Sequence, residues 1–316
     1  MYQDYYQFHC LPFENTPDPR FFFASEQHCE ALAALEYTVR MRKGFVLVTG
    51  DIGAGKTTIS RTMCARCRPH ATVVELLHGH QEAAGVIAQV LRRLGLRHGE
   101  TDDHGRLLER LQQFLQSRAE RAQPVVLLVD EAQSLSDAAL EELRLLSNLD
   151  SATARLIQIV LVGQPELRRR IASPQHAALR QRIAMARQLR PLNAADTGRY
   201  INHRLTAAAV AADGCGISFD SEAINAIFAY TRGIPRLINA VCDNCLLLGM
   251  VKETFTITAA MVRQVTEDMV PQLDAPAPQE QQPAPALGQP SPQPDHGKAM
   301  QHDLAPHGRE HLSLAA

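Results

Sequence analysis

The chain has 316 residues, of which 45% are hydrophobic and 21% charged, and its formal net charge is −2. That length is comfortable for two domains, and the apolar share is enough to bury a full core. A balance so near neutrality excludes a wholly basic protein that coats nucleic acid and a wholly acidic unfolded one.

Taken in chain order, short β-branched runs alternate with helical spacing. Phe45–Val48, Thr72–Leu76, Val125–Val129 and Leu156–Val162 are near-continuously apolar, as strands covered on both faces must be. Helical spacing runs from about Lys56 to Cys67, Glu82 to Leu94, Gly105 to Arg121 and Asp137 to Leu149. Strand and helix therefore alternate as in a parallel sheet wrapped by helices. A fifth strand is expected at Ala186–Leu189, just before Pro191. From about Asn193 the strand signal stops, and four helical stretches follow over 196–212, 221–231, 235–250 and 258–269. Ser221 and Thr258 are the expected caps of the second and fourth.

The expected organisation is an N-terminal segment over 1–24, an α/β domain over 25–192, a small all-helical domain over 193–270 and a tail over 271–316. Nine of the 18 prolines fall in that tail, and its apolar content is too low to offset the entropy of ordering it, so disorder is expected there.

The strongest local signal follows the first strand: Gly50-Asp51-Ile52-Gly53-Ala54-Gly55-Lys56-Thr57 matches G-x-x-x-x-G-K-[ST] between a strand and a helix. Glycines let the backbone curl until successive amides face one concave, anion-binding surface at a helix N-terminus. Lys56 would bring a point charge to the β- and γ-phosphates of ATP, and the Thr57 hydroxyl would ligate Mg²⁺. The strand Val125–Val129 runs out into Asp130-Glu131 at the carboxyl edge, where parallel sheets bind ligands. Beside a phosphate loop, Asp130 is expected in the Mg²⁺ shell and Glu131 is expected to orient the attacking water. A second carboxylate suits hydrolysis, whereas a kinase would orient a substrate hydroxyl.

Further polar positions recur in a telling order: Gln164 after the fourth strand, Arg180 and Arg182 before the fifth, and Arg236 in Gly233-Ile234-Pro235-Arg236. With the phosphate loop and the Asp-Glu strand end, that order resembles an AAA+ ATPase, a P-loop NTPase with a helical lid. Residues 1 to about 270 resemble the ATPase domain of the general secretion pathway protein A (ExeA-type) family, related to pilus-biogenesis and exosortase-associated ATPases. The marks that carry this resemblance are Pro12-Phe13-Glu14-Asn15-Thr16-Pro17-Asp18-Pro19-Arg20-Phe21-Phe22, Asp130-Glu131-Ala132-Gln133, Gly163-Gln164-Pro165-Glu166-Leu167, Leu179-Arg180-Gln181-Arg182-Ile183, Arg190-Pro191-Leu192 and Gly233-Ile234-Pro235-Arg236-Leu237-Ile238-Asn239.

The resemblance implies a Walker A motif over Gly50 to Thr58, including Thr58 itself, and a Walker B motif at Asp130 and Glu131. It implies sensor residues at Gln164 and Arg236 and an arginine given to the neighbouring subunit at Arg182, with Arg180 the alternative. It implies an N-terminal segment wrapped around the adenine and a homo-oligomeric ring such as a hexamer. Secretory members typically continue into a membrane helix and a peptidoglycan-binding domain, and these 316 residues hold neither, so direct cell-wall contact is not expected.

No run approaches the roughly 18 consecutive apolar residues of a membrane span, and Met1-Tyr2-Gln3-Asp4-Tyr5 does not open a secretory signal. Seven dispersed cysteines suit a reducing compartment, so the expected location is the cytoplasm, peripheral to the inner membrane at most through partners. Cys64-x-x-Cys67 and Cys242-x-x-Cys245 lie inside expected helices of different domains, which favours buried small residues over a zinc site. His78-Gly79-His80 is expected in a surface loop. Between Leu167 and Arg204 stand nine arginines and one acid, Asp196, which fits a subunit interface first and a stripe for DNA phosphates second. The functional expectation is an ATP-hydrolysing motor or switch that helps assemble a secretion, pilus or envelope-polysaccharide apparatus. The alternative is a DNA-binding ATPase regulator of the transposition target-selection type.

Overall fold

The computed structural model describes residues 1–16, 18–76, 83–97, 99, 102–150, 155–210 and 216–269. All of them fall in a single compact unit. The expected tail, Cys215 and the His78-Gly79-His80 stretch lie outside the described residues.

The chain opens with a helical turn, α1 (Tyr2–Tyr5), and a 3-10 turn (Pro19–Phe21). The α/β elements follow: α2 (Glu26–Arg40), β1 (Phe45–Gly50), α3 (Lys56–Cys67), β2 (Thr72–Leu76), α4 (Ala83–Arg93), α5 (His104–Glu120), β3 (Val125–Val129), α6 (Asp137–Leu146), β4 (Ile157–Gly163), α7 (Pro165–Ala172), α8 (Ala177–Arg182) and β5 (Ile183–Leu189). The lid comprises α9 (Ala194–Ala208), β6 (Ser218–Phe219), α10 (Ser221–Thr231), α11 (Pro235–Val251), β7 (Thr256–Ile257) and α12 (Ala259–Asp268).

Five parallel strands lie in the order β2-β3-β4-β1-β5. β1, β3 and β4 are buried throughout, and period-two alternation divides their side chains between two cores. Phe45, Leu47, Leu127 and Ile159 face α4 to α8, while Val46, Val48, Leu128 and Val160 face α2 and α3. Each face thus removes a continuous apolar layer from water, at about 25 cal/mol per Å² buried.

A third core belongs to the lid, and the N-terminal segment is part of it. Tyr2, Tyr6, Phe8, Phe13 and Phe21 pack with Tyr200, Leu205, Ile227, Ile238 and Val262. The lid is helical with one addition: Ser218–Phe219 pairs in parallel with Thr256–Ile257, a two-residue bridge too short to show as an apolar run. The cap of α10 is Asp220, whose carboxylate accepts from the Ala223 amide at 2.6 Å, and Ser221 is the first helical residue. That corrects the expected cap by one position.

Candidate functional site

β1 delivers the chain from the sheet into a loop that only glycine can close. Gly53 and Gly55 take φ of +80° and +90°, where a side chain is strained. A Cβ on Gly53 would stand 2.6 Å from the Cβ of Arg236, so the lid approaches the loop more closely than any side chain allows. Lys56 opens α3, and its Nζ donates to the carbonyls of Gly50 and Asp51 at 2.9 and 3.0 Å. Only 6% of this lysine is exposed. Burial lowers its pKa, against the upward pull of Glu131, Asp130, Asp51 and Glu166. A desolvated ammonium at a helix N-terminus has much to gain from a phosphate.

The acidic side is set by β3. Asp130 is buried, and its Oδ2 accepts from the Thr57 hydroxyl at 3.3 Å while Oδ1 accepts from the Glu131 amide at 2.9 Å. Burial raises the Asp130 pKa and repulsion from the Glu131 carboxylate adds to it; the Glu131 amide, Thr57 and Lys56 oppose the rise. A hydroxyl beside a carboxylate that is costly to keep ionised is a hard-oxygen pair of the kind Mg²⁺ takes alongside phosphate and water. Thr57 and Asp130 therefore fit the cation that the resemblance implies.

Glu131 follows in the left-handed region at φ +52°, which costs a non-glycine residue about 1 kcal/mol. Its Oε2 accepts from Gln133 Nε2 at 2.5 Å, and Gln133 Oε1 accepts from the Gln164 amide at 3.0 Å. Gln164 emerges beside this turn because β4 pairs with both β3 and β1, with Val129 opposite Leu161 and Thr49 opposite Gly163.

From the lid, Gly233 turns at φ +76°, where a Cβ would stand 1.8 Å from the Leu192 carbonyl oxygen. The turn brings α11 down so that the Arg236 amide donates to the Gly53 carbonyl at 3.4 Å. A cleft of about 370 Å³ results. Ile52, Gly53, Gly55, Lys56, Thr57 and Thr58 line it from the loop, Glu131 and Gln164 from the sheet, Arg236 and Asn239 from α11, and Glu14, Asn15 and Thr16 from the N-terminal segment. Gly50, Asp51, Ala54 and Asp130 complete the loop and its wall without lining the cleft.

A smaller pocket of about 50 Å³ adjoins it, walled by Phe21, Phe22, Phe23, His28, Leu192 and Tyr200. Arg204 underlies both spaces. It is 5% exposed, stacks 4.5 Å from the Phe21 ring centre, and donates to the carbonyls of Pro12 and Glu14 and to the Tyr200 hydroxyl. Tyr200 donates to Asn239 at 2.8 Å, and Asn239 to Asn15 at 3.1 Å, which ties the N-terminal segment to the lid. His28 sits beneath the loop with Nε2 close to Gly55 and Nδ1 2.6 Å from the Ser25 hydroxyl, and burial lowers its pKa, which favours the neutral imidazole.

The sequence assigns no role to Gln133, His28, Tyr200 or Asn239, and Arg204, counted in the basic stretch expected at a subunit interface, is instead buried against the N-terminal segment. Gln133 and Asn239 stand inside quoted family marks; Tyr200 and Arg204 fall within an expected helix, His28 within none, and none of the three carries a local signal of its own.

Arg182 and Arg180 do not line the cleft. Arg180 donates to the Ala172 carbonyl at 2.7 Å, and Arg182 is half-buried, its side chain without a hydrogen bond or ion pair among the described residues. The cysteine pairs occupy separate cores: Cys64 and Cys67 against the sheet, Cys242 and Cys245 in the lid. Burial pushes the Cys64 and Cys245 thiols up to about 12, which suits inert packing. Among the described residues no group of three or more His, Cys, Asp or Glu could hold a metal ion, and no helix is long and apolar enough to cross a membrane.

Comparison with known proteins shows the family and the fold. A family described as "AAA domain" matches residues 39–171. General secretion pathway protein A of Aeromonas hydrophila is 33% identical over 258 residues, 81% of this chain and 46% of that protein. The chain therefore spans about half the length of that curated relative. Among solved structures, the ORC2 protein of Aeropyrum pernix superposes with a TM-score of 0.61 at 15% identity, covering 81% of this chain and 71% of that one. Cdc6p of Pyrobaculum aerophilum gives 0.62 at 17% identity, covering 82% and 70%. The RuvB branch migration motor of Thermotoga maritima gives 0.50 at 19% identity, covering 78% and 70%. At such identities these structures show a shared fold.

Proposed function

The chain belongs to the AAA ATPases and is of the general secretion pathway protein A type, and on that premise we propose that it hydrolyses ATP as an oligomeric motor or switch. The single observation behind the chemistry is one cleft bounded by Lys56, Thr57, Glu131, Gln164 and Arg236. In this reading the loop from Gly50 to Thr58 holds the phosphates, with Lys56 supplying charge to the β- and γ-groups. Thr57 and Asp130 would hold Mg²⁺, which would supply positive charge to the phosphates when bound. Glu131 orients the attacking water and takes its proton, and Gln164 senses the γ-phosphate. Arg236 brings positive charge from the lid. The aromatic pocket formed by Phe21, Phe22 and Phe23 covers the adenine.

Arg182, remote from its own cleft, serves the neighbouring protomer, with Arg180 as the alternative. That arrangement requires a homo-oligomeric ring. The machine it serves is an envelope, secretion or pilus apparatus, approached from the cytoplasmic side. The test is ATP binding and phosphate release by wild type and by Glu131→Gln: binding without turnover in the variant supports the reading, and wild-type turnover in the variant sinks it.

A second reading, a DNA-binding regulator, has one observation in its favour: Arg168, Arg169, Arg180, Arg187, Arg190 and Arg199 are all exposed along the basic stretch. Nanomolar duplex binding that survives physiological salt would favour it.

A further inference from the structure

Gln133 has no part in the scheme above, yet its carboxamide bridges two groups that do. Nε2 donates to Glu131 Oε2 at 2.5 Å, and Oε1 accepts from the Gln164 backbone amide at 3.0 Å. A glutamine amide oriented by an acceptor at one end and a donor at the other has a single sensible rotamer flip. The surroundings hold it there. Gly163 leaves the space, since a Cβ at that position would lie 2.9 Å from Gln133 Oε1. The Gln133 carbonyl accepts from Arg170 Nη1 at 3.1 Å. Arg170 in turn grips Asp137 Oδ1 at 2.9 Å through Nε and at 2.5 Å through Nη2. The neighbouring Ala132 is fully buried.

We infer that Gln133 is a positioning residue for hydrolysis, fixing the Glu131 carboxylate in one orientation and indexing it to the end of β4 at Gln164. This inference rests on the reading of Glu131 given above. Glu131 sits at a turn of positive φ and ends in a side chain of three rotatable bonds; left free, its carboxylate would sample several directions, of which few meet a water in line with the γ-phosphate. The carboxamide occupies one carboxylate oxygen and leaves the other for the water. Nucleotide binding does not depend on it, because Gln133 does not line the cleft.

Steady-state kinetics with two variants test the inference. Gln133→Ala and Gln133→Glu should each lower kcat about tenfold or more, within the range set for misplaced catalytic groups. Their KM for ATP should stay within about twofold, the pattern of a lost transition-state interaction. Gln133→Glu keeps the shape but replaces the donor with a second carboxylate, so a residue that merely packs would tolerate it; wild-type kcat in Gln133→Glu overturns the inference. The double variant with Glu131→Gln should be no slower than Glu131→Gln alone, because Gln133 acts through Glu131; full additivity also overturns it. Normal turnover in Glu131→Gln would instead topple the assignment of Glu131, a separate failure. One readout is independent of turnover: the NMR signals of the Gln133 side-chain amide should shift, and their exchange with water quicken, in Glu131→Ala. Unchanged signals would show that the pair does not exist in solution.

Discussion

The amide of Arg236 lies 3.4 Å from the carbonyl oxygen of Gly53, so the first turn of the lid helix rests on the phosphate loop itself. Lid and phosphate loop thus meet there through backbone atoms. Arg236→Ala removes the guanidinium and leaves the backbone contact, so it should bind ATP within a few-fold of wild type and lose turnover. Gly53→Ala should do the opposite damage: its Cβ would meet Arg236 at 2.6 Å in a left-handed conformation, and ATP affinity should fall at least about tenfold. Calorimetric titration with ATP and a phosphate-release assay separate the two.

Lys56→Ala should lose ATP binding, because the two carbonyls it now satisfies cannot replace its charge. Glu131→Gln should keep binding while turnover drops at least about tenfold. Equal loss of binding in both variants would contradict the division of roles between loop and strand end.

Arg182→Ala should bind ATP normally and fail to hydrolyse it, since an arginine given in trans can be worth about 10³–10⁵ in rate. Mixing it with Lys56→Ala protein, which retains Arg182, should restore part of the activity through mixed interfaces. Wild-type activity per subunit should also rise with concentration. Activity that stays flat over a hundredfold dilution into monomer would mean the site is complete within one chain.

Arg204 is buried against three oxygen acceptors, two of them carbonyls of the N-terminal segment. Arg204→Met keeps much of the volume but strands those acceptors, at a cost of about 3 kcal/mol. Urea denaturation should register it as a lower midpoint. Limited proteolysis should cut first between Pro12 and Asp18, the stretch the guanidinium ties down.

A pH test follows from His28. Its pKa in the fold is lowered by burial from the ordinary 6.5, so as pH falls the unfolded chain binds the proton first. The stability carried by the neutral imidazole is complete above pH 6.5 and is lost as pH falls from there through the folded value. His203, lowered by burial and then by Arg204, adds a change of the same sign. Melting temperatures should therefore fall as pH is taken below 6.5, and His28→Asn should shallow that fall without abolishing it. An identical slope in the variant would mean that His28 is not the titrating group.

The strands and the phosphate loop were legible because their chemistry is local. An apolar run followed by Gly-x-x-Gly-x-Gly-Lys-Thr states its own structure, and α3 spans Lys56–Cys67 as the spacing predicts. The edge strand was harder. β5 begins at Ile183, three residues before the expected start, because an edge strand with mostly exposed residues shows no apolar run. Helix α2 went unread although it carries His28, and the short α7 and α8 were hidden in the arginine-rich stretch. The polar groups that join lid to N-terminal segment were beyond reach for a different reason. Asn15 and Asn239 are 224 positions apart, and a hydrogen bond at that separation leaves no periodic trace.

The same separation bears on how the chain is made. Tyr2, Tyr6, Phe8, Phe13 and Phe21 are synthesised before every other member of their core, which extends to Val265. At bacterial-scale synthesis rates of about 5–20 residues per second, these five rings wait on the order of ten seconds or longer for the last turn of α12. Until then a cluster of aromatics has no lid to enter, while the sheet, complete by Leu189, can already have closed. Through that interval the aromatics of this segment lack their core while the sheet can bury its own, and holding chaperones would find their target there.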